Sequence, residues 1–138
     1  MTPEQVKLVR NSFARVEPQS ALVAKLFYNH LFQIDPGLQP LFRSDMEPQG
    51  RRLMQMLAAA VALLDHPTKL QPVLRDLGER HAGYGVQPEH YATVGEALID
   101  TLSVSLGEQR FDAATRAAWT AAYGLVTETM LEAALALA

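Results

Sequence analysis

The sequence predicts an all-α fold, on three observations. Leu and Ala dominate its apolar content, apolar residues recur at helical spacing, and proline or glycine punctuates the periodic stretches. The alternation of β-branched residues that a half-buried strand needs is missing. Residues 1–138 read as one domain. At this length roughly 68–70% of the unfolded chain's surface can be buried, enough for a core without staples.

The first helix starts at Thr2-Pro3-Glu4-Gln5, with Thr2 as cap, Pro3 in the first turn and Gln5 three residues on. It runs to about Val16, burying Val6, Val9, Phe13 and Val16, and Pro18 interrupts it. A second helix, about Ser20 to Ile34, carries Leu22, Leu26, Phe27, Leu31 and Ile34, and Asp35-Pro36-Gly37 ends it. Pro36 opens a short helical turn toward Leu41-Phe42, and Arg43 to Glu47 reads as a polar loop. Pro48 fits the first turn of a third helix reaching about Leu64, broken by His66-Pro67. The fourth helix places Leu70, Leu74, Leu77 and His81 on one face, with Pro72 in its first turn. Gly83-Tyr84-Gly85-Val86 is a turn cluster. Pro88 opens a fifth helix to about Leu106, with Gly107 as its stop, and Asp112 caps an Ala-rich sixth helix that reaches the C-terminus. Unequal helices with proline-rich joints fit a plain up-down bundle poorly.

Composition excludes several chemistries. With no cysteine there is no disulfide, zinc-thiolate site or iron–sulfur cluster. A net charge of −3 without a basic block argues against nucleic acid. No run of about 18 apolar residues exists to span a membrane. The N-terminus lacks the basic-then-apolar layout of a signal peptide, so a cytoplasmic location is expected.

Three polar residues lie on faces that should be apolar. His81 continues the Leu70–Leu74–Leu77 stripe, and an unpaired buried polar group costs about 1–3 kcal/mol, so its partner is a hydrogen-bond acceptor or a metal. Gln49 lies one turn before Leu53 on the stripe of Leu53, Met56, Leu57, Ala60 and Leu64. Tyr28 is flanked by Ala21, Ala24, Leu31 and Phe32. Each has an ordinary reading alone: a satisfied core histidine, a solvated amide at a helix start, a core ring with a bonded hydroxyl. Three of them on three helices facing one interior fit a pocket, lined by Phe27, Phe42, Leu53, Leu57, Leu77, Val86, Val94 and Leu98. His30, His66 and His90 read as surface residues at helix ends or loops.

At these residues the sequence resembles the globins, in particular single-domain bacterial haemoglobins and the haem domain of flavohaemoglobins. The resemblance is carried by Asp35-Pro36 with Phe42, then Gln49, then His81, then Gln87-Pro88-Glu89-His90-Tyr91 with Val94-Gly95, and finally Ala118-Trp119 and Ala122-Tyr123-Gly124. It implies a globin fold of six main helices plus short helical pieces around a pocket for one haem b. His81 matches the proximal iron ligand, Phe42 the ring stacked on the porphyrin, and Tyr28, Gln49 and Leu53 the distal residues. Phe27, Leu57, Leu77, Val86, Val94 and Leu98 are expected haem contacts, and Arg52 and Arg80 are candidate partners for the propionates. The carbonyl of Leu77 is the natural acceptor for the second imidazole nitrogen, and Tyr91 and Tyr123 match tyrosines behind the proximal ligand.

The implied ligands are O2, NO and CO at a five-coordinate ferrous iron. Tyr28 and Gln49 are both donors, and a hydrogen bond to a charged acceptor contributes about 1.5–3 kcal/mol, so tight O2 binding is expected. The alternative is an NO dioxygenase. No flavin or nicotinamide segment follows the helices in this sequence, so turnover is expected to need a separate reductase. A gas sensor and a haem-free helical protein are further readings. One departure stands out. The flavohaemoglobin pattern places a glutamate eleven residues after Tyr123, where this sequence has Ala134. Glu132 lies about 180° away around the helix and Glu128 is also off that face. The proximal network is therefore expected to be incomplete, with weaker peroxidase-like chemistry.

Overall fold

The computed structural model describes residues 1–42 and 45–136. These form six α-helices: α1 Pro3–Val16, α2 Ser20–Ile34, α3 Met46–Ala62, α4 Pro67–Gly83, α5 Pro88–Leu106 and α6 Ala113–Leu135. Short 3-10 turns at Glu17–Gln19 and Pro36–Leu41 flank α2, and there is no strand among the described residues.

Local chemistry sets most boundaries where the sequence places them. Thr2 and Gln5 cap α1 reciprocally, each side chain accepting from the other's backbone N–H at 3.1 Å. Val6, Val9, Phe13 and Val16 are all buried. The Asp112 carboxylate accepts from the Thr115 N–H at 2.9 Å to start α6. Gly107, at φ +81°, ends α5 with a backbone conformation that other residues rarely adopt.

Pro48 lies in the first turn of α3, as expected, although the helix starts two residues earlier, at Met46, and ends at Ala62. Its C-terminal carbonyls need donors, and Arg10 of α1 supplies one to Ala62 at 2.8 Å while pairing with Asp65 at 2.6 Å. That long-range cap leaves no local sequence signal. Other expectations need correction. The stretch 43–47 is not a loop throughout, since Met46 and Glu47 are helical; Arg43 and Ser44 lie outside the described residues. α4 begins at Pro67, so Pro72 sits inside the helix and not in its first turn. Of two closely spaced prolines the earlier takes the start, where a missing N–H costs nothing. On α2 the buried face is Val23, Ala24, Phe27, Tyr28 and Leu31, whereas Leu22 is 52% and Ile34 39% exposed. Leu22 shares the exposed stripe of Lys25, Asn29 and Gln33, and Ile34 is the last residue of α2, so neither joins the buried face.

Close approach seats the helices against one another. α2 packs on α3 and α5, α4 on α6, and α1 on α6. A Cβ added to Gly50 of α3 would lie 2.9 Å from the Ala24 Cβ. One added to Gly78 of α4 would run into the backbone of Met130 on α6. Trp119 donates to the Ser12 hydroxyl at 2.8 Å, tying α6 to α1 in the core. His90 is not a bare surface residue: its Nδ1 accepts from the Gln87 N–H at 2.9 Å and closes the first turn of α5. His30 is half-buried within α2, and His66 is exposed as expected.

Candidate functional site

The apolar stripe of α4 changes character along its length. Leu70 and Leu74 are buried, whereas Leu77 and His81 are half-buried. The stripe of α3 does the same, with Met54, Ala60 and Val61 buried and Leu53 and Leu57 half-buried. These two consecutive helices lean on different partners, α3 on α2 and α1, and α4 on α6, and make no extended contact with each other. The apolar residues toward these ends keep partial exposure. Phe42, Val86 and Val94 share this half-buried state, and Phe27 and Leu98 are buried in the same core.

His81 is prepared as a neutral imidazole. Its Nδ1 lies 2.8 Å from the Leu77 carbonyl oxygen, the expected acceptor one turn back. A carbonyl only accepts, so Nδ1 carries the proton and Nε2 keeps its lone pair. Burial lowers the imidazole pKa below its ordinary 6.5, against the smaller raising effect of the Leu77 bond. The neutral form is the one that ligates a metal.

Tyr28 is held by rings on three sides. Phe27 meets it edge-on at 5.0 Å between centroids, Phe42 edge-on at 5.3 Å, and Phe32 stacks at 6.0 Å. Burial pushes the Tyr28 hydroxyl pKa up, while a hydrogen bond with the Gln49 side chain and the charge of Arg52 pull it down. Arg52 in turn donates to the Gln49 Oε1 at 2.9 Å. Arg80 pairs with Asp76 at 3.0 Å on the exposed side of α4.

The Tyr91 ring lies 6.5 Å from that of His81 between centroids. Tyr123 donates its hydroxyl proton to the Tyr91 carbonyl oxygen. Gly95 makes room for that tyrosine, since a Cβ there would lie 2.6 Å from its ring. The buried Tyr91 hydroxyl has no hydrogen-bond partner among the described residues. Ala134 is half-buried, while Glu128 and Glu132 are exposed, as the sequence spacing predicts. Sequence reasoning missed the roles of Gly50, Gly78 and Gly95, because a close helix crossing has no period to read.

The donor set fits a haem. His81 has its Nδ1 committed to Leu77 and the Tyr91 ring nearby, and Leu53, Leu57, Leu77, Val86 and Val94 of the same core are half-buried apolar residues. Among the described residues no group of three or more His, Asp or Glu gathers to hold a bare metal ion. A flat apolar macrocycle that brings its own equatorial ligands suits such a place. A surface hollow of about 570 Å³, lined by Met1, Lys7, Arg10 and Asp65 among others, lies elsewhere and includes none of these residues.

The described residues define an all-helical fold that carries a half-buried imidazole, His81, with a committed Nδ1. More particularly, a family model, Globin, matches residues 25–130, and the chain belongs to the globin family. A flavohemoprotein of Bordetella parapertussis is 32% identical over 135 residues, covering 95% of this chain and 33% of that protein. One from Vibrio cholerae is 26% identical, over 96% of this chain and 34% of its own length. The chain thus spans about a third of the length of the curated relatives it matches. A bacterial globin of Campylobacter jejuni shares the fold with a TM-score of 0.85 at 23% identity, covering 99% of this chain and 98% of its own. An engineered carbene transferase, built on a putative nitric oxide dioxygenase of Rhodothermus marinus, superposes with a TM-score of 0.88 at 27% identity over 99% of this chain and 95% of its own. No helix among the described residues is long and apolar enough to cross a membrane.

Proposed function

We propose that this chain binds haem b through His81 and uses Tyr28 and Gln49 to hold a diatomic gas, O2 in particular. The neutral imidazole with Nδ1 committed to Leu77 carries the reading. That bond fixes the tautomer and orients the ring, the usual device of a protein metal ligand. Phe42, Leu53, Leu57, Leu77, Val86 and Val94 supply the apolar contacts, with Phe27 and Leu98. When bound, the haem would supply a ferrous iron with one open position for O2, NO or CO.

The protein's own contribution is polar. Tyr28 O–H and Gln49 N–H₂ are donors. A gas that gains negative charge on binding is stabilised by about 1.5–3 kcal/mol per such bond, roughly ten- to a hundredfold in release rate. CO gains less charge and therefore less stabilisation. Leu53 and Leu57 keep bulk water away. Tyr91 and Tyr123 back the imidazole without a carboxylate, so peroxide cleavage is expected to be weaker than in flavohaemoglobins. Arg80 remains a candidate for a propionate, at the cost of its contact with Asp76.

A second reading is NO dioxygenation to nitrate, with a separate reductase returning one electron per turnover. The flavohemoprotein relatives and the Rhodothermus neighbour support it. Sustained NO consumption with a generic reductase selects the enzyme; one turnover and a stop selects the gas binder. The donor argument has its own test. Tyr28→Phe should speed O2 dissociation at least tenfold and CO dissociation far less. Equal effects on both gases would sink it.

A further inference from the structure

We propose that Arg52 is a positioning residue that fixes the Gln49 amide, so that the single Tyr28 proton is left for the gas. This rests on the haem-binding reading above. It departs from the propionate role that sequence alone suggests for Arg52.

The argument is an inventory of protons. A guanidinium has donors only, so the Gln49 atom that faces Arg52 at 2.9 Å is the amide oxygen. Amide orientation is an assignment, and the bond to Arg52 is made only with the oxygen on that side. With its oxygen turned to Arg52, the amide presents its NH₂ to the rest of its surroundings. Toward Tyr28 it is then a donor, and the phenol oxygen accepts. The lowering effect of both Gln49 and Arg52 on the Tyr28 hydroxyl agrees with donors and positive charge facing that oxygen. Tyr28 has one proton, and where the Gln49 NH₂ donates to the phenol oxygen that proton is not spent on Gln49. In the flipped amide the oxygen would accept from Tyr28 and consume it. Arg52, Gln49 and Tyr28 thus form a one-way relay of hydrogen bonds from solvent to pocket. The register that permits it is local: residues 49 and 52 are one turn apart on α3. Gly50 lets that turn sit against Ala24, one turn before Tyr28 on α2.

The test compares wild type, Arg52→Met, Arg52→Lys, Gln49→Leu and the Gln49→Leu/Arg52→Met pair after hemin loading. It reads O2 dissociation, the C–O stretch of the CO complex and the rate of hemin loss. Arg52→Met should speed O2 release about two- to tenfold and shift the C–O stretch toward that of Tyr28→Phe. Arg52→Lys should restore part of the effect. On the Gln49→Leu background the same change should do nothing further, because the relay is already cut. Hemin loss should change less than the O2 rate. An Arg52 effect that persists in full without Gln49, or that falls mainly on hemin loss, overturns the proposal in favour of a propionate role. In the hemin-free protein, NMR should show Gln49 NH₂ protons near the Tyr28 ring, lost in Arg52→Met; their absence in wild type also overturns it. Failure of wild type to take up hemin would overturn the haem reading, and the NMR arm then still decides the amide orientation.

Discussion

Gly50→Ala probes how the fold sets the distance between Tyr28 and Gln49. The added Cβ would lie 2.9 Å from the Ala24 Cβ. Ordinary carbon–carbon contact is about 3.5–4.0 Å, so α2 and α3 must part by about 0.6–1.1 Å. Overpacking of this kind costs about 1–3 kcal/mol. Replacing a helical glycine by alanine returns about 1 kcal/mol. The net loss is about 0–2 kcal/mol, and stability alone is a blunt readout. The reverse change on the facing helix sharpens it. Ala24→Gly alone should cost about 1 kcal/mol through propensity. In Gly50→Ala/Ala24→Gly the two propensity terms cancel and the clash is gone, so stability should return to wild type. The coupling from a urea-unfolding double-mutant cycle should then be at least about 1 kcal/mol. N–H···O hydrogen bonds span about 2.7–3.2 Å, so a displacement of this size should speed O2 release in Gly50→Ala and not in the pair. Strict additivity of the two changes would refute the reasoning.

Two further outcomes follow from particular atoms. Tyr91→Phe removes a buried hydroxyl that has no partner among the described residues, so the hemin-free protein should be stabilised by about 1 kcal/mol in urea unfolding; a loss of that size would show that the hydroxyl is bonded. The Thr115 backbone N–H holds the Asp112 carboxyl below its usual 3.8. A depressed carboxylate stabilises the fold fully above 3.8, and the contribution fades as pH falls through the folded value. Asp112→Ala should therefore lower the urea midpoint at pH 7, with a gap to wild type that narrows below pH 3.8, and a gap constant with pH would contradict the cap's ionic character.

Much of this molecule is legible in its sequence because its signals are local. Thr2 with Gln5, Asp112, and Gly107 fix helix ends through bonds or backbone angles within a few residues. The α4 stripe shows His81 on an apolar face, and its Leu77 acceptor follows from helix geometry alone. What stayed hidden depends on partners far along the chain. Arg10 ends α3 from α1, and Gly50, Gly78 and Gly95 set helix spacings against Ala24, Met130 and Tyr123. Leu22 and Ile34 are exposed for local reasons instead: Leu22 shares a face with Lys25, Asn29 and Gln33, and Ile34 is the last residue of α2. The orientation of the Gln49 amide needed a coordinate for Arg52.

The most direct test of haem ligation by His81 is an optical titration of hemin into the hemin-free protein, alongside His81→Ala. Wild type should saturate at one equivalent and, once reduced, give a five-coordinate ferrous spectrum that changes on admitting air. His81→Ala should give neither a stable endpoint nor that spectrum. A wild type that never saturates, or a His81→Ala protein with the same ferrous spectrum, would contradict the account.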